Sequence, residues 1–159
     1  MYEISKIEEH EFFENRLNRE YRYIWGDENN KKHDEIYELK IQGRIKIALI
    51  SKYGIIPKIE ELNGKLIIVL QNKLYAVECN SFKFEMVEVG LWIDEFVIYP
   101  NGILIISDCE IVFLNNKFEF MWKKDTDLIS YYNIEDEVIN CITDSGKITL
   151  SILDGTIVK

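Results

Sequence analysis

Apolar and polar residues alternate along most of the chain. The alternation is regular at residues 21–25, 37–41 and 44–50. Successive residues of a strand point to opposite faces of a sheet, so this pattern predicts half-buried β-strands. The polar stretch 26–34 separates the first two strands and predicts a long hairpin loop. The pattern as a whole predicts an all-β, mainly antiparallel fold.

Helical spacing is confined to the N-terminal stretch. Apolar residues between positions 4 and 17 recur near the period of an amphipathic helix, and neither Pro nor Gly interrupts them. These residues are Ile4, Ile7, Phe12 or Phe13, and Leu17. We therefore predict one short helical cap over residues 1–18, followed by N-terminal hairpins over residues 19–63.

From residue 64 the chain repeats itself with a period near 37 residues. Residues 66–74 align without a gap with residues 103–111, and residues 140–148 form a third copy. Each copy consists of an apolar strand, a polar turn and a second apolar strand, and an Asn- or Gly-containing turn then leads to a third strand. The third strands are predicted at 82–86, 118–122 and 156–158. A period of this length built from hairpins is typical of repeat architectures.

The repeated unit resembles a blade of a β-propeller. The resemblance rests on the order Gly-Lys-Leu, apolar run, turn and Lys-Leu-Tyr-Ala, which stands at residues 64–66 and 73–76. It covers residues 64–159 and implies three blade-like repeats. Closed propellers contain about 4–8 blades, and this chain offers three blade-like units with a candidate fourth at residues 19–56. We therefore expect an incomplete or open propeller-like sheet within a single domain, residues 1–159, with a four-bladed closure as the alternative. The resemblance supplies no catalytic residue, because propeller blades as such have none.

The sequence contains no motif that predicts catalysis or a cofactor. The glycines form no phosphate-binding loop, and no Gly-x-Ser-x-Gly elbow is present. His10 and His33 have no partner at metal-ligand spacing. Cys79, Cys109 and Cys141 lie in or beside apolar strands, which favours buried or half-buried thiols. We therefore expect a protein without enzymatic activity, cofactor or metal.

A pair of aspartates has a spacing that deserves a separate interpretation. Asp125 and Asp127 flank Thr126, and two carboxylates so spaced can hold a divalent cation beside a sugar nucleotide. No nucleotide-binding fold accompanies them. We interpret the segment as an acidic loop tip that keeps a sheet edge soluble.

The net charge of −9 is unevenly distributed. Residues 84–137 contain 12 acids and 3 bases, whereas residues 44–83 contain 3 acids and 7 bases. Because phosphate binding needs a cationic surface, the charge argues against nucleic acid as a direct partner. An acidic face favours a basic protein partner, since opposite charges raise association rates. Whether the basic and acidic stretches neutralise each other in the fold is left open.

The location of the protein is predicted from what the sequence lacks. No apolar run approaches the ~20 residues of a membrane-spanning helix, and the N-terminus has no signal-peptide pattern. Three cysteines, an odd number, do not form a disulfide framework. We therefore expect a cytoplasmic protein that does not bind membranes. The sequence does not predict its oligomeric state.

Aromatic residues stand beside acids in segments that we expect to lie between the repeats. Loops between blades gather at one end of a bladed sheet, and protein-binding sites favour loops and Trp or Tyr anchors. An alternative is that Trp92 and Trp122 fill the spaces between blades. The predicted partner-binding residues are Trp92, Asp94, Glu95, Trp122, Asp125, Asp127, Tyr131, Tyr132, Glu135, Asp136 and Glu137.

By its size, its acidity and its lack of catalytic motifs, the chain is similar to the immunity proteins of bacterial polymorphic toxin and contact-dependent inhibition systems. This resemblance implies a protein that covers the active site of a basic toxin domain, such as a nuclease, with carboxylates in place of phosphates. Two other classes stay open. One is a carbohydrate-binding or small-ligand-binding protein or enzyme with a pocket at the loop rim, and the other is a structural or assembly protein.

Overall fold

A computed structural model of the chain describes residues 1–26 and 34–158. These residues form β-strands β1 to β15 and a single helix, α1 (Glu9–Leu17). The strands are β1 (Tyr2–Ile7), β2 (Tyr21–Trp25), β3 (Asp34–Ile41), β4 (Ile45–Lys52), β5 (Lys58–Leu62), β6 (Lys65–Leu70), β7 (Lys73–Glu78), β8 (Phe84–Glu88), β9 (Ile93–Tyr99), β10 (Gly102–Ser107), β11 (Glu110–Asn115), β12 (Phe120–Asp125), β13 (Ile129–Glu135), β14 (Val138–Thr143) and β15 (Gly146–Ser151). The predicted all-β, mainly antiparallel fold with one short helix is confirmed. Within the described ranges, no helix is long and apolar enough to cross a membrane.

The chain divides into two compact units. Unit 1 contains Met1–Gln71 and Tyr75–Phe84, and unit 2 contains Asn72–Leu74 and Glu85–Lys159. Each unit has its own buried apolar cluster. The single domain expected over residues 1–159 stays a prediction.

The first sheet of unit 1 has the strand order β1-β3-β4-β2. Strand β3 pairs antiparallel with β1 and β4, but β2 pairs in parallel with β4. The predicted hairpin between β2 and β3 is therefore wrong, because β1 occupies the edge of β3 that such a hairpin needs. Residues 27–33, most of its predicted loop, lie outside the described residues.

The N-terminal helix is shorter than predicted. Residues Tyr2–Ile7 form β1, and α1 begins only at Glu9. Ile4 and Ile7 fit a strand as well as a helix, and pairing with β3 decides between the two structures. Helix α1 contributes Phe12, which is buried in a cluster with Ile7, Ala48 and Ile50. The apolar spacing of residues 4–17 thus combines an edge strand and a short helix.

The larger cluster of unit 1 contains stacked aromatic rings. The ring centroids of Trp25 and Tyr75 are 4.0 Å apart, with an angle of 7° between the rings. Phe84 packs edge-on against Trp25, at 5.1 Å between centroids. Leu39 and Leu49 are fully buried in the same cluster. The aromatic residues that alternate in β2 therefore belong to a core.

The repeated segment forms three sheets, as its periodicity predicts. Their orders are β5-β6-β7-β8, β12-β11-β10-β9 and β13-β14-β15. The predicted third strands at 82–86 and 118–122 correspond to β8 and β12, with shifted bounds. At 156–158 no strand forms, and Ile157 makes only an isolated bridge to Leu150. The third sheet therefore has one strand fewer than the other two.

Two equivalent backbone hydrogen bonds, 37 residues apart, show that the repeat recurs in the structure. In unit 2 the Val89 N–H donates to the carbonyl of Asn72, at 2.9 Å. Thirty-seven residues later the Thr126 N–H donates to the carbonyl of Cys109, also at 2.9 Å. Each bond ties the residue after an outer strand to a turn of its own sheet, so the same local geometry recurs at the offset found in the sequence.

The predicted turns before the third strands are present, but two of them place positive φ on unexpected residues. Phe82 has a φ of 58° and Phe118 a φ of 62°, whereas Gly155 has the positive φ (69°) expected of its residue type. A positive φ is rare for a bulky side chain. At the first two turns the positive φ therefore falls on a phenylalanine and not on the Asn residues that the turns contain.

Gly102, at the start of β10, has no room for a side chain. A Cβ atom there would lie 1.9 Å from the carbonyl oxygen of Leu114 and 2.7 Å from a ring carbon of Phe113. We expect Gly102→Ala to lower the free energy of unfolding by about 2 kcal/mol, because paired backbone cannot move aside. Urea denaturation followed by circular dichroism measures this loss.

Gly64→Ala is the matched control for this substitution. A Cβ at Gly64 meets nothing within 4 Å, and only its φ of +77° opposes alanine. The expected loss is about 1 kcal/mol. A Gly102→Ala variant as stable as the Gly64→Ala variant would contradict the close approach of β10 and β11.

Candidate functional site

The two sheets of unit 2 have two ends, at which loops join their strands. At one end β10, β12 and β14 finish, and β9, β11, β13 and β15 start. We call the loops of this end, together with the first residues of β9 and the last residue of β12, the acidic loop end. Its loops are residues 89–92, 108–109, 126–128 and 144–145.

Asp108 organises the first loop of the acidic loop end. Its Oδ1 accepts hydrogen bonds from the N–H groups of Leu91 (2.9 Å) and Trp92 (3.1 Å). Its own N–H donates to the carbonyl of Trp92, at 3.0 Å. Burial raises the pKa of the Asp108 carboxyl, but the hydrogen bonds from these N–H groups lower it by more. The pKa is therefore below its ordinary value. The ionised carboxylate therefore fixes the path of this loop.

A second carboxylate supports the same loop from inside. Glu110 is only 7% exposed, and its Oε2 accepts a hydrogen bond from the N–H of Gly90, at 2.6 Å. Its other carboxylate oxygen pairs with Lys123. A Cβ at Gly90 would lie 2.1 Å from the hydroxyl oxygen of Ser107, so glycine is needed for this approach. The loop is held by two carboxylates and is preorganised.

Loops of the two sheets are joined by backbone hydrogen bonds. The Ile129 N–H donates to the carbonyl of Asp108, at 2.7 Å. The Asp144 N–H donates to the carbonyl of Leu128, at 3.2 Å, which repeats the Asp108–Trp92 bond 36 residues later. The loops of the acidic loop end therefore form one continuous surface.

The pKa of Asp108 predicts how stability depends on pH. A carboxyl whose folded pKa is lowered stabilises the fold above its ordinary pKa, near 3.8, and this stabilisation is lost as pH falls through the folded pKa. We expect Asp108→Asn to lower the free energy of unfolding at pH 7, and the difference from wild type to shrink at pH 3. Urea titrations at both pH values measure it. Asp144→Asn, at the equivalent position, is the control, and the same loss in both variants would contradict the role of Asp108.

Five of the predicted partner-binding residues lie at the acidic loop end. They are Trp92, Asp94, Glu95, Asp125 and Asp127. Asp94, Asp125 and Asp127 are exposed, and Asp127 accepts a hydrogen bond from the Ser145 hydroxyl. Trp92 is half-buried. The structure thus brings together the residues around the start of β9 and those between the end of β12 and the start of β13.

Three residues of this surface were not among the predicted ones. Asp144 is exposed, and Leu91 and Leu128 are 78% and 53% exposed among the acids. The repeat contains the signal that finds them, because Asp144 stands 36 residues after Asp108 and Leu128 stands 37 residues after Leu91. Applying the offset to the loops as well as to the strands relates Asp144 to Asp108 and Leu128 to Leu91, but neither Asp108 nor Leu91 was itself among the predicted residues.

Tyr131 and Tyr132, two of the predicted residues, lie in the middle of strand β13, whose last residue is the predicted Glu135. Tyr132 is half-buried, and its hydroxyl donates to a carboxylate oxygen of Glu95, at 2.6 Å. Burial, and then the Glu95 carboxylate, raise the pKa of the Tyr132 phenol. Tyr131 is 60% exposed on the other face of the sheet. Tyr132 therefore positions Glu95. Of the two tyrosines, only Tyr131 has an exposed ring that a partner could contact.

The predicted single rim of loops is wrong. Segment 131–137 is strand β13 and the turn after it, and Glu135, Asp136 and Glu137 lie at the opposite end of unit 2. At that end the Ile152 N–H donates to the carbonyl of Glu137, at 2.8 Å. A strand of seven residues is about 20 Å long, which separates the two groups of acids.

Trp122 fills the space between the two sheets of unit 2. Its Nε1–H donates to the carbonyl of Ile152, at 2.9 Å, and its ring stacks on Phe113 with centroids 6.2 Å apart. A Cβ at Gly155 would lie 2.6 Å from this ring. These contacts support the alternative that Trp122 is a core residue, and its role in partner binding stays a prediction.

The candidate metal ligands do not come together. The described part of the chain contains no group of three His, Cys, Asp or Glu side chains that could hold a metal ion, and His33 lies outside it. Cys79, Cys109 and Cys141 form no disulfide. Cys141 is buried, and burial raises the pKa of its thiol to about 11. A thiol with this pKa is protonated at neutral pH and is a poor nucleophile.

No protein-family model and no curated protein matches the sequence. Among solved structures, the chain is similar to the WD40 domain of Neurospora crassa Pan2, with 9% identity and a TM-score of 0.50 over 65% of this chain and 36% of that one. BamB from Moraxella catarrhalis gives 10% identity and a TM-score of 0.49 over 80% of this chain and 49% of that one. WD40 repeats form β-propellers, so the resemblance to propeller blades is confirmed at the level of fold. The chain spans about a third of the Pan2 domain's length.

Proposed function

We propose that this chain is a non-enzymatic binding protein that captures a basic protein through the acidic loop end of unit 2. The observation that carries the proposal is the group of exposed carboxylates at this end, Asp94, Asp125, Asp127 and Asp144, beside a loop that the buried sides of Asp108 and Glu110 fix. Carboxylates on a rigid scaffold attract a basic surface over long distances and keep their geometry when it docks. Leu91 and Leu128 add exposed apolar contacts among them.

Lysines near the acidic loop end do not cancel its charge. Seven acids and three lysines stand in its loops and in the adjoining ends of strands β9 to β15. The acids are Asp94, Glu95, Asp108, Glu110, Asp125, Asp127 and Asp144, and the lysines are Lys123, Lys124 and Lys147. Lys123 is already paired with Glu110 and lies 3.6 Å from Asp125. The remaining surface presents a negative potential to a partner.

We further propose that the basic partner is the catalytic domain of a toxin nuclease, which would make this chain an immunity protein of the cytoplasm. A nuclease must bind phosphates, so its active site carries a cationic surface. The acidic loop end offers carboxylates at which such a surface can bind. The similarity to immunity proteins in size and acidity supports this narrower proposal.

Affinity capture tests the proposed function. The immobilised protein is exposed to a lysate of its source cells, bound proteins are eluted with a rising salt gradient, and mass spectrometry identifies them. We expect one basic protein at near-equal stoichiometry. Nuclease activity that is inhibited by stoichiometric amounts of this chain would support the immunity proposal. A captured basic protein without such activity would overturn only that narrower part, and the absence of any salt-eluted basic protein would overturn the whole.

A further inference from the structure

The sheet formed by β13, β14 and β15 has an outer face with a shallow cleft of about 240 Å³. Its inner face contributes Ile139, Cys141 and Leu150 to the apolar cluster of unit 2. Because successive residues of a strand point to opposite faces, the side chains that alternate with these three lie on the outer face. The residues of this face that line the cleft are Tyr131, Asn133, Glu135, Asn140, Ile142 and Lys147.

Strand pairing arranges the outer side chains in rows that cross the sheet. One row is apolar and ends in an ammonium group: Tyr131, Ile142 and Lys147. The next row is polar: Asn133, Asn140 and Thr149. Rows that stand two residues apart along a strand are separated by about 7 Å. An apolar strip therefore lies directly beside a strip of hydrogen-bonding groups.

The other sheet of unit 2 is apolar at the positions of the polar row. Strands β9, β10 and β11 begin and end 36 residues before β13, β14 and β15. The residues that correspond to the polar row are Val97, Leu104 and Phe113. These three pack in the cluster that joins the two sheets. The outer face of β13, β14 and β15 is therefore not suited to packing against another apolar sheet, and it suits a polar ligand.

Tyr131 departs from this change toward polar residues. The residue that corresponds to it is Glu95, so an aromatic ring that is 60% exposed replaces a carboxylate. Ile142, its partner across the sheet, is 49% exposed. Solubility alone explains the polar row, but it does not explain an exposed ring beside an exposed aliphatic side chain. This pair indicates a ligand with an apolar side.

Two hydrogen bonds orient the amide groups of the polar row. Nδ2 of Asn133 donates to Oε1 of Glu135, at 2.7 Å, and the Thr149 hydroxyl donates to Oδ1 of Asn140, at 2.8 Å. Within residues 1–26 and 34–158, Oδ1 of Asn133 and Nδ2 of Asn140 form no hydrogen bond. Asn133 pairs with Asn140, so the face offers an oriented acceptor beside an oriented donor.

We propose that this cleft binds a single neutral pyranose. A sugar ring has an apolar C–H face, which stacks on Tyr131 and Ile142, and neighbouring hydroxyl groups at its edge, which bind Asn133 and Asn140. The opposite charges of Glu135 and Lys147 cancel, which favours an uncharged ligand. The volume is below the range of drug-sized sites, about 300–1,000 Å³, so the cleft has room for one ring. The site does not depend on the proposed capture of a basic protein.

Titrations of the ¹⁵N-labelled protein, followed by NMR, test the sugar and its two sides. The sugar probes are the methyl pyranosides of β-D-glucose, β-D-galactose and α-D-mannose. Tetrahydropyran-2-methanol has the ring without its ring hydroxyls, and glycerol has hydroxyls without a ring. We expect saturable shifts at the amides of Tyr131, Asn133, Asn140 and Ile142 with at least one glycoside. The expected Kd is about 1 mM, the value that drug-like efficiency gives a ligand of about 13 non-hydrogen atoms. Both control probes should bind at least about fivefold more weakly.

Variants of the two rows assign the contacts. Tyr131→Leu removes the ring, and Asn140→Leu introduces the residue that the other sheet has at this position. Each is expected to weaken binding of the glycoside at least about fivefold, with an otherwise unchanged spectrum. Tyr131→Phe keeps the ring and should retain the wild-type Kd. Tyr53→Leu is the control, because it removes a tyrosine that is 75% exposed in unit 1, and it should also leave the Kd unchanged.

Three results would each overturn the proposal. The first is the absence of saturable shifts with all three glycosides. The second is equal affinity for tetrahydropyran-2-methanol, which would show that the hydroxyl groups are not recognised. The third is wild-type affinity in both Tyr131→Leu and Asn140→Leu, which would place the sugar elsewhere on the protein.

Discussion

Neutralising the exposed aspartates of the acidic loop end is expected to lower the association rate constant with the basic partner about 100-fold at low salt. The variant is Asp94→Asn, Asp125→Asn, Asp127→Asn and Asp144→Asn combined. Long-range attraction between a charged surface and its partner raises on-rates by about 10 to 10³, and these carboxylates are the exposed aspartates of the proposed binding surface. Asparagine keeps the size and the acceptor oxygen, so the Ser145 hydrogen bond can persist. Surface plasmon resonance with the captured partner gives the rate constants.

The structure offers a control with the same change in net charge. Exposed acids at the opposite end of unit 2 can be neutralised as Glu119→Gln, Glu135→Gln, Asp136→Asn and Glu137→Gln. We expect the association rate constant of this variant to fall less than about threefold, because these groups lie more than a Debye length (about 8 Å) from the docking surface. Equal losses in the two variants would show that net charge alone, and not the acidic loop end, drives association.

Replacing Trp122 by alanine is expected to destabilise the protein by about 3 kcal/mol. The substitution removes the ring that packs between Phe113 and Gly155 and leaves a cavity. It also leaves the carbonyl of Ile152 without the indole donor at 2.9 Å. Urea denaturation followed by far-ultraviolet circular dichroism measures the loss without relying on tryptophan fluorescence.

Trp92→Ala is the matched control, because it makes the same chemical change in a loop. The backbone of Trp92 forms the hydrogen bonds to Asp108, and these survive the substitution. The expected loss is about 1 kcal/mol. If Trp92→Ala proved the more damaging substitution, the assignment of Trp122 to the core would be wrong. A Trp122→Ala variant that is fully stable but fails to bind the partner would instead support its predicted role as an anchor.

The repeats could be predicted from the sequence because hairpins are local structures. Each β-hairpin brings together residues that are close in the chain, so its alternation and turn residues stand in one short segment. The parallel pairing of β2 with β4 has no such local signal, because β3 intervenes between them. The edge strand β1 was missed for a related reason, since its pairing with β3 joins residues that lie 29 to 39 positions apart in the chain.

The location of the loops was predicted only in part because the repeat was assigned with the wrong phase. The aligned sequence segments begin in the second strand of each sheet. The sheets themselves begin one strand earlier, with β5, β9 and β13. Strand β13 was therefore interpreted as a junction, which placed Glu135–Glu137 on the wrong end of the unit. Asp94, Asp125 and Asp127 do lie at one end of unit 2, because they stand in or within two residues of the true junctions, residues 89–92 and 126–128.

The side-chain roles at the site depend on contacts that alternation cannot show. From the sequence alone, Trp122 and Tyr132 could each be either an exposed anchor for a partner or a core residue. Hydrogen bonds to Ile152 and Glu95 show what each side chain contacts. Asp108 and Glu110 were likewise indistinguishable in the sequence from the exposed acids around them, although they hold the loop that carries Trp92.

The salt dependence of the association rate constant tests the central claim most directly. The wild-type protein and its captured basic partner are mixed in a stopped-flow instrument at salt concentrations from about 20 mM to 500 mM, a range over which the Debye length shrinks several-fold. If the acidic loop end attracts the partner, the association rate constant should fall about 100-fold across this range, while the dissociation rate constant changes much less. An association rate constant that stays flat from low to high salt would contradict the account.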